Sequence, residues 1–476
     1  MFKKDWEPVI GIEIHLELNT KTKMFSSAPN VFSLEPNKGV NVIDLAYPGT
    51  LPLLNKQAVI FGIKLAKALK MKVDNELHFD RKNYFYTDLP KGYQITQQFR
   101  PIGSDGVLPI EINNKIKNID IERIHLEEDT AKQIHEGDTT FINYNRAGVP
   151  LIEIVSKPVI KSAKEAVEYI NNIRLIALSL GISDAKMSEG SLRADVNISV
   201  REKGTEQFNT RVEIKNLNSL SNVEKAIEYE MQWQIEQHEK GIEFEQQTKR
   251  FDEASQTNKM MRSKSSAVDY KYFPEPNIPI IQLTDELINS VNVDELPWER
   301  KQRYIENNLN NVQYEQLIQN MEYANFIDRL CNISNISLKK ITNIFFSQIV
   351  SFLNEKSIQI SELPLSYEEF VFIIEQMEEN KLLKHSLNVI MNSRMLEENI
   401  NIEEIIKSND LKAKDLSLEI TSMINEILNS NKDLMEEYTT RPDRVVKFVV
   451  GQVMKLSKGQ ANPVQTKEIL LKALEK

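Results

Sequence analysis

Cysteine is nearly absent. Cys331 is the only one in 476 residues, which excludes an internal disulfide framework and any zinc site built on thiolates. So thiol-poor a chain fits a reducing cytosol. No run approaches the ~20 consecutive apolar residues of a membrane span. The opening MFKKDWEPVIG has neither the apolar core of a secretory signal nor the Arg/Ser bias of a transit peptide. The expectation is a cytoplasmic protein away from membranes. A basic surplus is also missing: 59 Lys and Arg against 69 Asp and Glu leave a net charge of −10. Any nucleic acid would have to be met through a local patch. Glycine is missing from a long stretch, since 13 of 15 lie between Gly11 and Gly241 and none between Ile242 and Val450. Proline follows, with 14 of 17 at or before Pro297. Turns and strands therefore belong to the first part and helices to the remainder, with a boundary near Pro297.

What is present begins with helix signals. The spacing Ser162-x-x-Glu165 predicts a capped helix ending at Gly181, and Ser221-x-x-Glu224 another closed by Gly241. Asn55 is placed to cap a third over Ala58–Met71. Amphipathic runs predict further helices over Val312–Leu330, Tyr367–Asn380, Asp415–Asn429 and Pro442–Leu456. From Arg441 onward eight Lys and Arg face three acids. On charge alone that is a solvated helix face sooner than a phosphate contact.

Four segments alternate as strands. In GIEIHLEL (11–18), Ile12, Ile14 and Leu16 oppose Glu13, His15 and Glu17. Asp195, Asn197, Ser199 and Arg201 oppose Ala194, Val196, Ile198 and Val200. Arg211, Glu213 and Lys215 oppose Val212 and Ile214. IERIHLEED (121–129) ends in three acids. Polar faces that carry carboxylates and imidazole on several strands cost energy unless something neutralises them. A divalent cation would, and oxygen-dominated donors suit Mg²⁺ or Mn²⁺ better than Zn²⁺. No G-x-x-x-x-G-K-[ST] or G-x-G-x-x-G loop is present, and Gly190-Ser-Leu-Arg193 is at most a weak phosphate cradle. Cys331, His78, His238 and His385 read as structural. The aromatic and basic residues of 79–96 and 269–276 suit either base stacking or packing under the sheet.

These segments also carry a resemblance. GIEIHLEL (11–18), FDRKNYFY (79–86), DLPKGYQIT (88–96), IERIHLEED (121–129), NRAGVPLIEIVSKP (145–158), EGSLRADVNISVR (189–201), EIKNLNS (213–219), MRSK (261–264), DYKYFPEP (269–276) and GQVMKLSKGQANP (451–463) occur in order. Together they resemble, along essentially the whole chain, the B subunit of the aspartyl/glutamyl-tRNA amidotransferases. The resemblance implies an α+β fold: an N-terminal cradle domain with an antiparallel sheet (1–296), an all-α helical domain (297–405) and a small basic helical tail that binds tRNA (406–476). It implies a heterotrimer with an amidase, the A subunit, which frees ammonia from glutamine, and with a small C subunit. It implies ATP- and Mg²⁺-dependent phosphorylation of the side-chain carboxylate of misacylated Glu-tRNA(Gln) or Asp-tRNA(Asn), then amidation by channelled ammonia. It places the metal on Glu13, His15, Glu128 and Glu213, with Asp195 as a further catalytic residue, and Lys82 near the ammonia route. Arg193 and Arg201 are candidates for ATP phosphates on chemical grounds.

The chain departs from the family pattern at Thr87, Asn143, Lys157 and Ala194, where proline, aspartate, an acid and cysteine are usual. Some members hold zinc on four cysteines between the first strand and the equivalent of Pro52. That region here has none, so no zinc is expected. A tRNA-binding adaptor with a decayed site is the alternative function, and a free-standing carboxylate–amine ligase a third. The intact acids argue against the adaptor, and the lack of an amidase signature argues for a partner as ammonia source.

Overall fold

Alternating apolar and charged residues dictate a strand with two unlike faces. In the computed structural model that strand is β1 (Trp6–Glu17), in the interior of a nine-stranded sheet. The structure describes residues 5–31, 34–263, 269–397, 400–412, 417–431, 433–434, 438, 441–457, 461 and 463–474. Lys264 of the MRSK segment, Asp415, Lys458, Glu475 and Lys476 lie outside them. The chain forms two compact units, Met1–Gln302 and Arg303–Lys476. The first is mixed α and β and the second helical, as the glycine distribution predicts.

The other strands of the sheet are β2 (Lys72–Val73), β3 (Gly103–Ile112), β4 (Lys115–Glu128), β5 (Pro150–Ser156), β6 (Leu192–Glu202), β7 (Val212–Leu217), β8 (Gln247–Asp252) and β9 (Thr257–Ser263). Their order is β9-β8-β7-β6-β1-β5-β4-β3-β2. All neighbours are antiparallel except β7 and β8, which pair in parallel. A parallel pair needs a crossover, and α3 (Leu220–Glu239) lies in that connection. With α1 (Lys56–Ala68) and α2 (Ala163–Ser179) it shares one core with the apolar sheet face, through Ile12, Ile14, Leu16, Ile63, Ile124, Ile154, Ile173, Val196 and Val223.

The caps follow local chemistry. Asn55 accepts from the amides of Gln57 and Ala58, and Ser162 from that of Glu165, as the spacing predicts. Helix α3 starts earlier than Ser221-x-x-Glu224 suggests. Ser219 is already extended and accepts from the Asn222 amide, so the helix begins at Leu220. The segment 79–96 folds as the hairpin Asp80–Asn83/Tyr93–Thr96, joined by Phe273–Pro274 into a small sheet. It draws Tyr84 and Tyr270 to within 6.1 Å between ring centroids.

In the helical unit, the run 312–330 is two helices, α4 (Asn311–Gln319) and α5 (Met321–Asn332). Asn320 between them is non-helical and caps the second through its side chain. A polar side chain able to replace the backbone's own bonds interrupts a run that is otherwise apolar at helical spacing. α6 (Tyr367–Glu378) carries a complete capping box from Ser366 and Glu369. α7 (Ser417–Ser430), α8 (Pro442–Leu456) and α9 (Pro463–Leu474) close a core of their own around Ile420, Ile424, Val445, Val449, Val453 and Leu470. Among the described residues no helix is long and apolar enough to cross a membrane.

Candidate active site

Burial of the apolar residues of β1, β5, β4 and β6 fixes what points the other way. Cross-strand pairing aligns Arg193 (β6), His15 (β1), Glu153 (β5) and His125 (β4) in one row. The adjacent row reads Asp195, Glu13, Val155 and Arg123. Nε2 of His15 lies 3.7 Å from Glu13, 3.5 Å from Glu127 and 3.4 Å from Glu153, carboxylates of three different strands. His125 Nε2 lies 3.3 Å from Glu153 and 3.6 Å from Glu127. Beyond Asp195, Lys215 bridges that carboxylate and Glu213, the latter at 3.0 Å, and the Thr248 hydroxyl donates to Glu213 at 2.9 Å. At the other end Arg193 donates to Asp129 at 2.7 Å, and Arg146 Nε lies 3.3 Å from the same oxygen.

So many charges shift one another. Burial, with Glu153 close by, pushes the Glu13 carboxyl up to about 7. Burial, with Asp129 adjacent, does the same for Glu17, also to about 7. Burial alone would depress both imidazoles. The surrounding carboxylates, Glu153 foremost, outweigh it and raise His15 and His125 each to about 9. Glu153 is the converse: burial would raise it, and the two imidazoles hold it well below the ordinary range.

The donor set fits a divalent ion. Two groups, Glu13–His15–Asp195 and His15–Glu127–Glu153, each bring one ligand atom per residue within 4.8 Å of one another. Around a Mg²⁺ with ~2.1 Å bonds, neighbouring ligand atoms lie about 3 Å apart and opposite ones about 4.2 Å. The observed 3.4–3.7 Å separations fall inside that span.

Of the residues expected from the sequence, Glu13, His15 and Asp195 come together, with Glu213 next to them across Lys215. Lys82 stands at the edge. Burial would lower its ammonium, but Glu127, Tyr272 and Glu153 raise it, and it sits 4.9 Å over the Tyr270 ring. Glu128 does not join. It shares the face of Ile124 and Leu126, is bound by Lys91, and accepts from the Ile95 amide at 3.1 Å. Glu127, with His125, takes the polar face instead. Arg193 and Arg201 are not brought together: eight residues of extended strand separate them by roughly 26 Å. Arg201 is held by Glu7 at 2.7 Å. The Gly190 loop closes on itself, since the amides of Gly190, Ser191 and Leu192 donate to Met187 and Lys186 carbonyls. His78 lies 2.9 Å from Glu76, which also binds Arg100. Burial pushes the Cys331 thiol up to about 11, consistent with an inert role.

Sequence reasoning missed Glu127, Glu153 and His125. A single acid inside the apolar run Leu151–Val155 was the available signal for Glu153. For the others it was the parity set by Ile124 and Leu126.

A sheet backed by a full core on one face presents clustered carboxylates, imidazoles and cations on the other, the arrangement of a catalytic domain rather than of a structural platform. The family model for the GatB/GatE catalytic domain matches residues 8–289, and that for the GatB domain residues 325–474. The B subunit of the aspartyl/glutamyl-tRNA(Asn/Gln) amidotransferase of Mycoplasmopsis agalactiae is 51% identical over 470 residues, 99% of this chain and 98% of the relative. The proteins of the same name from Mycoplasma mobile and Enterococcus faecalis are 48% and 39% identical, over 99% of this chain and 98% and 100% of theirs. The chain belongs to the B-subunit family of the aspartyl/glutamyl-tRNA(Asn/Gln) amidotransferases.

Proposed function

We propose that this chain activates a side-chain carboxylate for amidation on tRNA. The γ-phosphoryl group of ATP passes to the carboxylate of glutamate on tRNA(Gln), or aspartate on tRNA(Asn), releasing ADP. Ammonia then attacks the acyl carbon, a C–N bond forms, the C–O bond to phosphate breaks with its electron pair leaving on the phosphate, and the nitrogen gives up a proton. The observation that carries this reading is His15 Nε2 facing carboxylates of three strands at 3.4–3.7 Å. Glu13, His15, Glu127, Glu153 and Asp195 would hold Mg²⁺, with Glu213 behind them. When bound, the ion neutralises charge developing on the transferred phosphoryl group. Lys215 positions Asp195 and Glu213. Arg193, held by Asp129, offers a cation beside the cluster. Glu128 anchors Lys91 and with it the strand Tyr93–Thr96. Lys82 lies beside the ammonia route.

The A and C subunits, an amidase and a small partner, supply the ammonia and complete a cytoplasmic heterotrimer. Two helical parts, 297–405 and a tRNA-binding tail 406–476, follow the cradle. The separate core of α7–α9 supports that division, and the basic surplus after Arg441 supports the tRNA contact. Truncation at Arg441 would remove core residues such as Val449 and Leu470. Replacing the exposed Lys447, Lys455 and Lys467 by alanine leaves that core intact. The triple variant should flatten the slope of log affinity against log salt by roughly 2–3. The deciding experiment for the chemistry is ATP-dependent amidation by the complex carrying Glu153→Gln, expected to collapse while the complex still assembles. Wild-type turnover would overturn the assignment.

A further inference from the structure

One guanidinium on the open face is anchored at a single nitrogen. Arg123 on β4 is half-buried, and its Nη1 donates to the Gln98 carbonyl at 3.2 Å. The Gln98 segment is itself fixed, because the amides of Gln98 and Phe99 donate to Asp80 at 2.7 Å and 3.0 Å. Nε of Arg123 is buried and has no hydrogen-bond partner. Among the described residues no carboxylate pairs with Arg123, not even the exposed Glu122 beside it in sequence.

Nε and Nη2 form the edge of a guanidinium that meets a carboxylate through two parallel bonds. Elsewhere in this chain the same edge does so twice. Arg81 reaches the two oxygens of Glu275 at 2.6 Å and 3.1 Å, and Arg100 those of Asp74 at 2.9 Å and 2.5 Å. Most other cations around the cluster are already matched: Arg193 and Arg146 by Asp129, Lys215 by Asp195 and Glu213. Arg211 forms no ion pair among the described residues, but it is exposed beside β7, four strands or roughly 19 Å from β4. Lys82 is nearer. Burial raises the Tyr272 hydroxyl against the pull of both Lys82 and Arg123. Lys82 offers a point charge, however, and Arg123 a planar fork. Between Arg123 and Glu13 in their cross-strand row stands Val155, the one uncharged residue of the four. A carboxylate seated over Val155 lies one strand from Arg123 and one strand from Glu13.

We propose, on the basis of the reaction proposed above, that Arg123 binds the side-chain carboxylate of the aminoacyl group on tRNA and so reads the charge that amidation removes. A carboxylate accepts both N–H bonds and brings the opposite charge. The amide that replaces it has one acceptor oxygen, and its NH₂ sets donors against donors. One side chain thereby holds the substrate and lets go of the product.

The test uses the assembled amidotransferase complex with Mg²⁺ and without ATP, so that nothing turns over. Dissociation constants are measured for Glu-tRNA(Gln) and for its product Gln-tRNA(Gln), with wild type, Arg123→Met and Arg123→Lys. Wild type should bind the acidic form roughly tenfold or more tightly than the amide. Arg123→Met should bring the two within about twofold by weakening Glu-tRNA(Gln) alone, and Arg123→Lys should fall between. In turnover the KM for Glu-tRNA(Gln) should rise with the KM for ATP unchanged. A preference for the acid that survives in Arg123→Met, equal weakening of both tRNAs, or a rise confined to the KM for ATP overturns the proposal. So does transfer of the effect to Lys82→Met. If Arg123→Met does not assemble, Arg123→Lys decides, and an undiminished preference there overturns it. Failure of the underlying reaction shows separately, as no ATP-dependent amidation by the wild-type complex.

Discussion

On the covered face of the nine-stranded sheet, Ile12, Ile14, Leu16, Ile124, Ile154 and Val196 are sealed beneath three helices. On the opposite face of the same strands, Glu13, His15, Glu127, Glu153 and Asp195 crowd together, and the proton affinities of Glu13, His15 and Glu153 are driven apart. The covered face sets register, because slipping a strand by one residue would bury acids and expose isoleucines. The open face inherits its geometry from that register and contributes chemistry. Mutations on the two faces should therefore separate stability from activity.

The largest effect expected is on the open face. Glu153→Gln should cut ATP-dependent amidation by the complex at least 10²–10³-fold, since losing an anionic ligand of a dication costs several kcal/mol of transition-state stabilisation, about 1.4 kcal/mol per tenfold. Its melting temperature should stay near wild type. A large loss of stability with normal turnover per folded molecule would break the contrast.

A buried ion pair on the covered face sharpens the comparison. Lys249 lies 2.8 Å and 3.0 Å from the two oxygens of Glu230, with its ammonium 3.4 Å from the Trp233 ring centroid. Glu230→Leu should cost about 3–5 kcal/mol because it strands a buried ammonium. The double variant Glu230→Leu/Lys249→Met should regain most of that in chemical denaturation. No recovery in the double variant would show that the pair contributes more than mutual neutralisation.

Ile14→Ala removes a fully buried side chain between Glu13 and His15 of the cluster. It should cost roughly 2–5 kcal/mol of stability while leaving KM for ATP within a few-fold. A selective rise in KM at unchanged stability would mean the faces are not separable here. Glu128→Gln is the mildest. It loses the Lys91 ion pair and weakens the bond to the Ile95 amide, at about 1–3 kcal/mol. Turnover should fall far less than for Glu127→Gln, and equal losses from the two would contradict their placement on opposite faces.

The strands and their two faces were legible in the sequence because period-2 alternation is unambiguous in GIEIHLEL and ADVNISVR. The cluster on the open face was only partly legible. In Ile121–Asp129, Ile121 and Ile124 both face the core although they are an odd number apart. The register shift opposite Val155/Ser156 makes that possible. Counting parity from Ile121 puts Glu127 with the apolar residues; counting from Ile124 and Leu126 puts Glu128 there, as the structure has it. A bulge is invisible to pattern reading, and the acid the resemblance implies, Glu128, stands one residue from the one that faces the cluster. Glu153 hid in an apolar run for a different reason: Leu151 and Val155 share its face of the strand, so Leu151–Val155 shows no period-2 alternation beyond the single acid. The break at Asn320 was missed because periodicity carries through it, whereas its cap is a side-chain hydrogen bond.

Anomalous scattering from Mn²⁺ soaked into crystals of the protein tests the central claim most directly. The account predicts a peak about 2.0–2.3 Å from His15 Nε2 and carboxylate oxygens of Glu127 or Glu153. A peak on Glu128 with none beside His15, or no ordered ion at millimolar Mn²⁺, would contradict it.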